Sequence, residues 1–369
     1  MISAQARGAA TDGPATARRL GQSADTPGRA TSALPDMSLG EFDLISRHFT
    51  RPVRRSPLGV GDDCALIAPA PGMQLAVSSD MLVEGRHFLS TVAPRALGHK
   101  ALAVNLSDLA ACGARPLAYT LAFALPRADD AWLAGLAAGL HALADRHEIE
   151  LVGGDTTAGP LNLCLTVFGE VPAGQALLRS GARPGDDLWV SGHTLGDARL
   201  ALEGFRGTVS LGGDDFTLAR RAMEWPEPRV ALGLALRGLA RSAIDISDGL
   251  LGDLRHVLVR SGAALAGSAP TAAPLGATLF ADQLPASAVL ARQPADLRLQ
   301  CQLAGGDDYE LLFTTPPGRQ AEVQAAAAAS NTPVHCIGRI EPPGAPVRVL
   351  DGAGQPLPTP WASFDHFKA

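Results

Sequence analysis

The sequence predicts an α/β or α+β protein of two domains, each built around a mixed sheet, and three observations support this fold class. The chain has 369 residues, more than twice the roughly 150 residues of a typical domain. Short apolar runs typical of strands alternate with longer segments in which apolar residues recur with the helical period. With 46% hydrophobic and 18% charged residues, the composition is that of a globular chain.

A turn-rich passage, residues 172–186, divides the chain, so we expect one domain at 37–171 and a second at 172–369. Residues 1–36 have no hydrophobic periodicity and are rich in Ala, Arg, Ser, Thr, Gly and Pro. Such a segment buries too little apolar surface to offset its ordering entropy. We therefore expect it to be a disordered tail.

The expected elements follow this division. The first domain is predicted to contain strands at 74–79, 149–152 and 161–171 and helices at 97–112 and 130–147, the first of which ends at Gly113. The second is predicted to contain strands at 188–191, 243–246, 310–314 and 334–340 and helices near Gly196, at 249–261 and at 319–330. The periodicity of residues 263–295 is too weak to predict an element.

Charge and cysteine content exclude several classes of function. The chain carries 31 basic and 37 acidic residues, a net charge of −6 without a basic block, so nucleic acid is not an expected partner. No apolar run reaches the roughly 18 residues of a membrane helix, so we expect no membrane association. Five widely spaced cysteines without a C-x-x-C pair argue against a disulfide scaffold or a zinc ribbon, and favour a cytoplasmic location.

The lysine content excludes two common kinds of ATP site. The only lysines are Lys100 and Lys368. Neither stands in a G-x-x-x-x-G-K-[ST] loop or in a V-A-I-K strand, so a P-loop enzyme and a protein-kinase relative are both excluded.

Acidic residues instead recur in six clusters at predicted strand ends and helix starts. They are Gly61-Asp62-Asp63, Ser78-Ser79-Asp80, Asn105-Leu-Ser-Asp108, Gly153-Gly154-Asp155, Asp245-Ile-Ser-Asp-Gly249 and Gly305-Gly-Asp-Asp-Tyr-Glu310. Each alone has an ordinary explanation in turn or cap chemistry; Asp248, for example, is placed to cap the helix that follows it. Together they indicate a magnesium–nucleotide site, because carboxylates packed together repel one another unless a cation lies between them. Oxygen ligands without His or Cys favour Mg²⁺.

Other residues fit this chemistry but leave alternatives open. Gly153 and Gly154 offer backbone N–H groups to a phosphate. Arg179 is suited to clamp phosphate oxygens, or it is a solvated arginine in a linker. His87 either contacts an anionic substrate or has a structural role.

Taken together and in this order, six motifs resemble the thiamine-monophosphate kinase family of the aminoimidazole-ribonucleotide synthetase-like ATP-binding superfamily. The motifs are Gly59-Val-Gly-Asp-Asp63, Ser79-Asp80 followed by Glu84-Gly-Arg-His-Phe88, Ala103-Val-Asn-Leu-Ser-Asp-Leu-Ala110, Leu151-Val-Gly-Gly-Asp-Thr-Thr157, Ile244-Asp-Ile-Ser-Asp-Gly-Leu250 and Gly305-Gly-Asp-Asp-Tyr-Glu-Leu311. The resemblance implies an N-terminal α/β domain that dimerises through its sheet and a C-terminal α/β domain. ATP and the metal ions would lie in the cleft between them.

The resemblance also implies three sets of site residues. The Mg²⁺ ligands would be Asp63, Ser79, Asp80, Asp108, Asp155, Asp245 and Asp248. ATP would be bound by Gly154, Asp155, Arg179 and Ser247, and thiamine monophosphate by His87, Asp307 and Phe364. Asp307 stands where the family usually has Glu, so its carboxylate has a shorter reach.

The implied reaction moves the γ-phosphoryl group of ATP to thiamine monophosphate, giving thiamine diphosphate and ADP. We expect direct in-line transfer assisted by several Mg²⁺ ions, with no catalytic side chain, because the acceptor phosphate is already largely dianionic at neutral pH. The expected enzyme is a cytoplasmic homodimer.

Four alternatives remain at this point. Selenophosphate synthetase and aminoimidazole-ribonucleotide synthetase belong to the same superfamily, but the former is expected to carry a reactive cysteine near its N-terminus, and residues 1–63 contain none. A metal-dependent phosphatase would also use clustered aspartates. A magnesium or nucleotide sensor would bind without turnover.

Overall fold

The computed structural model describes residues 41–267 and 272–360, so the tail predicted at 1–36 lies outside the described residues. The helices are α1 (Glu41–Leu44), α2 (Pro94–Ala111), α3 (Asp130–Arg146), α4 (Asp197–Arg206), α5 (Gly213–Glu224), α6 (Val230–Ala235), α7 (Leu250–Ala266), α8 (Ala288–Ala291), α9 (Ala295–Ala304) and α10 (Gln320–Ala329). The strands are β1 (Met73–Val83), β2 (Arg115–Leu125), β3 (Glu150–Ala158), β4 (Asn162–Pro172), β5 (Asp187–Ser191), β6 (Ser242–Asp245), β7 (Leu275–Phe280), β8 (Leu311–Thr315), β9 (Val334–Pro343), β10 (Val347–Leu350) and β11 (Pro356–Leu357). A π-helical turn (Ile45–Phe49) continues α1, and a 3₁₀ turn (Ala281–Gln283) follows β7.

The first sheet has the strand order β1-β4-β2-β3 and is mixed, as predicted. β4 pairs antiparallel with both β1 and β2, whereas β2 and β3 run parallel. Leu163, Leu165 and Val167 alternate along β4 and are fully buried on the sheet's inner face, where α2 lies against β1 and β4. The opposite face is called the outer face below.

Helices α2 and α3 pack closely because glycines stand where their backbones meet. A Cβ atom on Gly98 would lie 2.1 Å from the carbonyl oxygen of Leu136, and one on Gly139 would lie 2.0 Å from that of Arg95. Only a residue without a side chain permits these approaches. α2 begins one turn before the predicted start because Pro94 occupies its first turn, where a missing N–H costs nothing.

The second sheet has the order β11-β10-β7-β9-β5-β8-β6 and is also mixed, since β7 and β10 are parallel and the other pairs are antiparallel. α7 packs against β6, β7 and β8. All strands of the first sheet precede Ala173 and all described strands of the second follow Asp186. The boundary predicted at 171/172 falls in this interval and stays a prediction.

Helix α2 connects the two sheets. Besides α3, β1 and β4 it contacts α6, β6 and β8 from the second half of the chain. Most of its residues are buried, including the polar residues Lys100, Asn105 and Ser107. The residues of α2 are therefore not divided into an apolar buried face and a polar exposed face. Its buried polar side chains instead contact partners inside the protein.

Several elements were not predicted. β2 is buried along almost its whole length and therefore lacks the polar–apolar alternation of a half-exposed strand. β7 and α8 lie within 263–295, where no element was expected. In the described residues no helix is long and apolar enough to cross a membrane.

Candidate active site

Strand β1 and helix α2 bring two predicted metal ligands, Asp80 and Asp108, close together. The Asp108 side chain accepts a hydrogen bond from the Ser78 hydroxyl at 2.5 Å. One turn earlier, the Asn105 side chain accepts from the backbone N–H of Asp80 at 3.1 Å. The three-residue spacing predicts that Asn105 and Asp108 share a helix face, and both contact the same strand.

The end of β6 adds a third carboxylate. Asp245 is buried, and its side chain accepts a hydrogen bond from the Ser107 hydroxyl at 2.9 Å. Asp248 lies in the turn between β6 and α7. The charges of Asp108 and Asp248 raise the pKa of Asp80, and those of Asp108 and Asp80 raise the pKa of Asp245. We therefore call Asp80, Asp108, Asp245 and Asp248 the acidic group.

The turn that carries Asp248 is held by Asp253, a residue outside the predicted site sets. The Asp253 carboxylate accepts the backbone N–H groups of Ser247, Asp248 and Gly249, each at 3.1 Å. The prediction that Asp248 caps α7 is therefore wrong, because the N-cap is Gly249 and the acceptor comes from inside the first turn. Asp253 stabilises the start of the helix from there.

Burial and mutual repulsion raise the pKa values of these carboxyl groups. Burial, followed by the charges of Asp108 and Asp248, raises the pKa of Asp80 to about 6. Burial is also the main cause of the raised pKa of Asp245, to which Asp108 contributes next. For Asp253, burial and then the charge of Asp248 raise the pKa to about 7. A site of this kind retains protons unless a cation takes their place.

A loop from the second sheet closes one side of the acidic group. The backbone N–H of Asp307 donates to the carbonyl oxygen of Ser247, and that of Tyr309 to the carbonyl oxygen of Ile246, both at 2.8 Å. The Asp307 side chain accepts from the ammonium of Lys100 on α2 at 2.5 Å. The predicted acceptor-binding residue Asp307 therefore lies next to the turn of Ser247 and Asp248.

Three further predicted site residues line a cavity of about 470 Å³. Asp63, Gly154 and Asp155 contribute to its wall, together with apolar side chains such as Phe49 and Phe123. Gly154 is needed by the sheet itself, because a Cβ atom there would lie 1.9 Å from the carbonyl oxygen of Leu121 on β2.

The sheet register places Ser79 and Asp155 on the face of the first sheet opposite to Asp80. Ser79 pairs with Thr166 and Asp80 with Leu165, so their side chains project from opposite faces of β1. Asp155 lies on the outer face with Ser79, since it is aligned through Ala122 with the partly buried Cys164 of β4, whose partner on β1 is the outer-face residue Met81. The Ser79 hydroxyl lies 3.0 Å from that of Thr166. In the described parts of the chain no three Asp, Glu, His or Cys side chains lie close enough to hold one ion.

The remaining predicted residues occupy different settings. Burial raises the pKa of Asp108, while the hydrogen bond from Ser78 and the positive charge of Arg179 act to lower it. Arg179 is therefore close to the acidic group. His87 follows β1, and its Nδ1 accepts the backbone N–H of Val83 at 3.0 Å. Phe364 lies outside the described residues.

Three contributors have no role that the sequence predicts: Lys100, which lies beside a proposed site segment, Ser107 and Asp253. Ser107 stands inside a quoted motif, and Asp253 follows one by three residues. The signal that could have identified Asp253 is an acidic residue in the first turn of a predicted helix. The partner of Lys100 is 207 residues away in the sequence, and no local pattern predicts such a contact.

Known proteins match the chain over most of its length. A family model described as AIR synthase related protein, N-terminal domain, matches residues 61–171. A thiamine-monophosphate kinase from Salmonella typhimurium is 43% identical over 340 residues, which cover 90% of this chain and 99% of that protein. One from Bacillus subtilis is 33% identical, covering 82% of this chain and 91% of the relative.

Solved structures show the same relationship. The crystal structure of thiamine-monophosphate kinase from Stenotrophomonas maltophilia has a TM-score of 0.73 and 42% identity, covering 85% of this chain and 97% of that one. A structure described as AaThiL complexed with AMPPCP and TMP has a TM-score of 0.66 and 27% identity, covering 81% and 89%. The hydrogenase maturation protein HypE in complex with ATP, at 21% identity and a TM-score of 0.67, shares the fold.

Proposed function

The chain belongs to the thiamine-monophosphate kinase family, and we propose that it transfers the γ-phosphoryl group of ATP directly to thiamine monophosphate at a site that binds several Mg²⁺ ions. The products are thiamine diphosphate and ADP. A relative that binds TMP together with AMPPCP, an ATP analogue in which a methylene group replaces the β,γ-bridging oxygen, supports both substrates.

The acidic group is the observation that carries this proposal. Its carboxylates come from β1 and α2 in the first half of the chain and from β6 and the following turn in the second half. This origin supports a site in the cleft between the domains proposed at 37–171 and 172–369. Anionic substrates would not bind beside these carboxylates without added cations, because like charges at short range repel.

The donor set fits Mg²⁺. Asp80, Asp108, Asp245 and Asp248 offer hard oxygen ligands in the acidic group, Ser79 and Asp155 offer them on the outer face of the first sheet, and Asp63 offers one in the wall of the cavity. Mg²⁺ is commonly bound by one or two carboxylates and completes its shell with water and substrate phosphates. Bound Mg²⁺ neutralises charge on the phosphate chains and on the transferring group.

The residues of the chain have positioning roles in this reaction. Arg179 near Asp108 supplies a permanent positive charge for ATP phosphates, and Gly154 and Ser247 complete the ATP contacts. Asp307 and His87 face the acceptor, with Phe364 as the third proposed contact. No general base is required, because the second pKa of a phosphate monoester is about 6 and the acceptor is already dianionic.

A homodimer is part of the proposal. Leu75, Val77 and Met81 of β1 are 45%, 58% and 53% exposed on the outer face of the first sheet. Neighbouring exposed apolar side chains of this kind mark an interaction surface. We propose that a second copy covers this face.

We also propose a cytoplasmic location. The five cysteines are free, and the exposed thiol of Cys64 follows the predicted ligand Asp63 directly. Reduced cysteines are typical of proteins in a reducing compartment.

ADP release measured with and without thiamine monophosphate, with products identified by mass, tests the proposed function. We expect ADP and thiamine diphosphate in equal amounts, only when Mg²⁺ and the acceptor are both present. ADP with free phosphate regardless of acceptor would instead indicate a hydrolase. Tight Mg²⁺–ATP binding without turnover would indicate a sensor.

Two variants connect this activity to the acidic group. Asp108→Asn removes one carboxylate charge and should lower kcat at least a hundredfold. Asp130→Asn removes an exposed carboxylate that pairs with Arg47 and His48 at the start of α3, and it should leave kcat unchanged. Equal effects of the two substitutions would contradict the role of the acidic group.

A further inference from the structure

We propose that Lys100 is a positioning residue for the acceptor substrate, because its ammonium fixes the carboxylate of Asp307. The inference rests on the proposed function, in which Asp307 contacts thiamine monophosphate. The family resemblance assigns no role to Lys100. Its contact in the structure joins α2 to the loop before β8.

The Lys100 ammonium has a buried setting that only an ionic partner makes tolerable. The Lys100 side chain is 3% exposed, whereas that of Asp307 is 30% exposed. A buried ammonium without a partner is strongly unfavourable, because it has lost its hydration and gained nothing in return. The Nζ–Oδ2 distance of 2.5 Å shows that Asp307 supplies that partner. Lys100 is thus held in place by the packing around it, whereas the carboxylate of Asp307 remains partly exposed toward the proposed site.

The backbone at Asp307 limits the carboxylate further. Its φ angle is 72°, in the left-handed region, which Asp adopts more readily than most other residues with a side chain. The N–H of Asp307 is held by Ser247, and a Cβ atom on Gly306 would lie 2.3 Å from the same carbonyl oxygen. With the backbone fixed and only a short side chain, the carboxylate position depends on Lys100.

Lys100 also neutralises the charge of Asp307, so this carboxylate does not add to the negative charge of the predicted metal ligands. Burial raises the pKa of Tyr309 well above its usual value, and the charges of Asp307, Asp80 and Asp245 raise it further. These three carboxylates therefore lie around one tyrosine. Lys100 contacts Asp307 directly, whereas neutralisation of the acidic group relies on the nearby Arg179 and on added cations. Without Lys100, an unpaired carboxylate would be placed beside the dianionic phosphate of the acceptor, which would weaken acceptor binding.

Steady-state kinetics of Lys100→Met with both substrates varied, together with thermal unfolding, tests the inference. We expect KM for thiamine monophosphate to rise at least tenfold while KM for ATP changes less than threefold. Combining Lys100→Met with Asp307→Asn should give no larger increase than the worse single variant, because both substitutions remove one interaction. Additive effects, or equal changes in both KM values, would overturn the inference.

A matched control separates positioning from general destabilisation. Arg115→Met breaks another ion pair to a buried carboxylate, Glu170, near the opposite end of the first sheet. It should lower the melting temperature without changing KM for thiamine monophosphate. If Lys100→Met does not fold, Lys100→Arg retains the charge and should raise KM for the acceptor alone, by a smaller factor. A wild-type enzyme that forms no thiamine diphosphate would refute the proposed function, whereas a normal wild type with an unchanged Lys100 variant would refute only this inference.

Discussion

The hydroxyl of Ser107 on α2 donates a hydrogen bond to the side chain of Asp245 at the end of β6, over a distance of 2.9 Å. This bond joins a helix of the first half of the chain to a carboxylate of the second half, and both residues are buried. The same helix reaches β1 through Asn105 and Asp108. Helix α2 therefore sets the distances within the acidic group.

Replacing Ser107 with alanine should disturb the site more than the fold. Asp245 loses a hydrogen-bond donor, which costs about 1–3 kcal/mol of stability, because a buried polar group is left without its partner. We expect kcat/KM to fall about tenfold and the Mg²⁺ concentration for half-maximal activity to rise. Ser330→Ala, which removes a hydroxyl that follows α10 and donates to the carbonyl oxygen of Ala326, should leave the Mg²⁺ dependence unchanged. An unchanged Mg²⁺ dependence in Ser107→Ala would contradict this role.

Asp253 should determine the conformation of the turn that carries Asp248. Asp253→Ala leaves three backbone N–H groups without their acceptor, so we expect a loss of about 3 kcal/mol in the free energy of unfolding. Asp253→Asn keeps an acceptor oxygen and should lose less. Chemical unfolding of both variants measures the difference. Equal losses would show that the carboxylate charge, and not the hydrogen bonds, holds the turn.

The stability of the metal-free protein should fall as the pH rises. The pKa values of Asp80 and Asp253 are raised to about 6 and about 7, so the folded state binds more protons than the unfolded state between about pH 4 and these values. Stability due to these protons is present below pH 4 and is lost as the pH passes through 6 to 7. The melting temperature in EDTA should therefore decrease from pH 5 to pH 8.

Mg²⁺ should reverse this loss. Because a bound cation replaces the protons, added Mg²⁺ should raise the melting temperature more at pH 8 than at pH 5. Asp80→Asn should reduce both the pH dependence in EDTA and the Mg²⁺ effect. A Mg²⁺ effect of equal size at both pH values would contradict the assignment of the acidic group as the metal site.

The outer face of the first sheet should control the oligomeric state. Val77→Lys places a charge among the exposed side chains of Leu75 and Met81 and should convert a dimer to a monomer in light scattering. Val259→Lys alters a residue of α7 that is 41% exposed and should leave the dimer intact. A dimer that survives the Val77 substitution would place the interface elsewhere.

Local sequence patterns predicted part of this structure and site. Predicted ranges that agree with the structure, such as those of α2 and α3, have helical periods or clear end signals. β2 was not predicted, because burial on both faces removes the alternation of polar and apolar residues that distinguishes a half-exposed strand. The three-residue spacing correctly predicted that Asn105 and Asp108 share a helix face, since both contact β1. They could not predict the contact of Lys100 with Asp307, because tertiary packing alone brings those residues together.

The stereochemistry of phosphoryl transfer tests the central claim most directly. ATP made chiral at the γ-phosphorus with three oxygen isotopes, together with thiamine monophosphate and Mg²⁺, should give thiamine diphosphate whose terminal phosphorus has the inverted configuration. Inversion is the result of a single in-line displacement between the two bound substrates. Retention of configuration, which requires a phosphorylated enzyme intermediate, or recovery of the isotopes in free phosphate, would contradict the account.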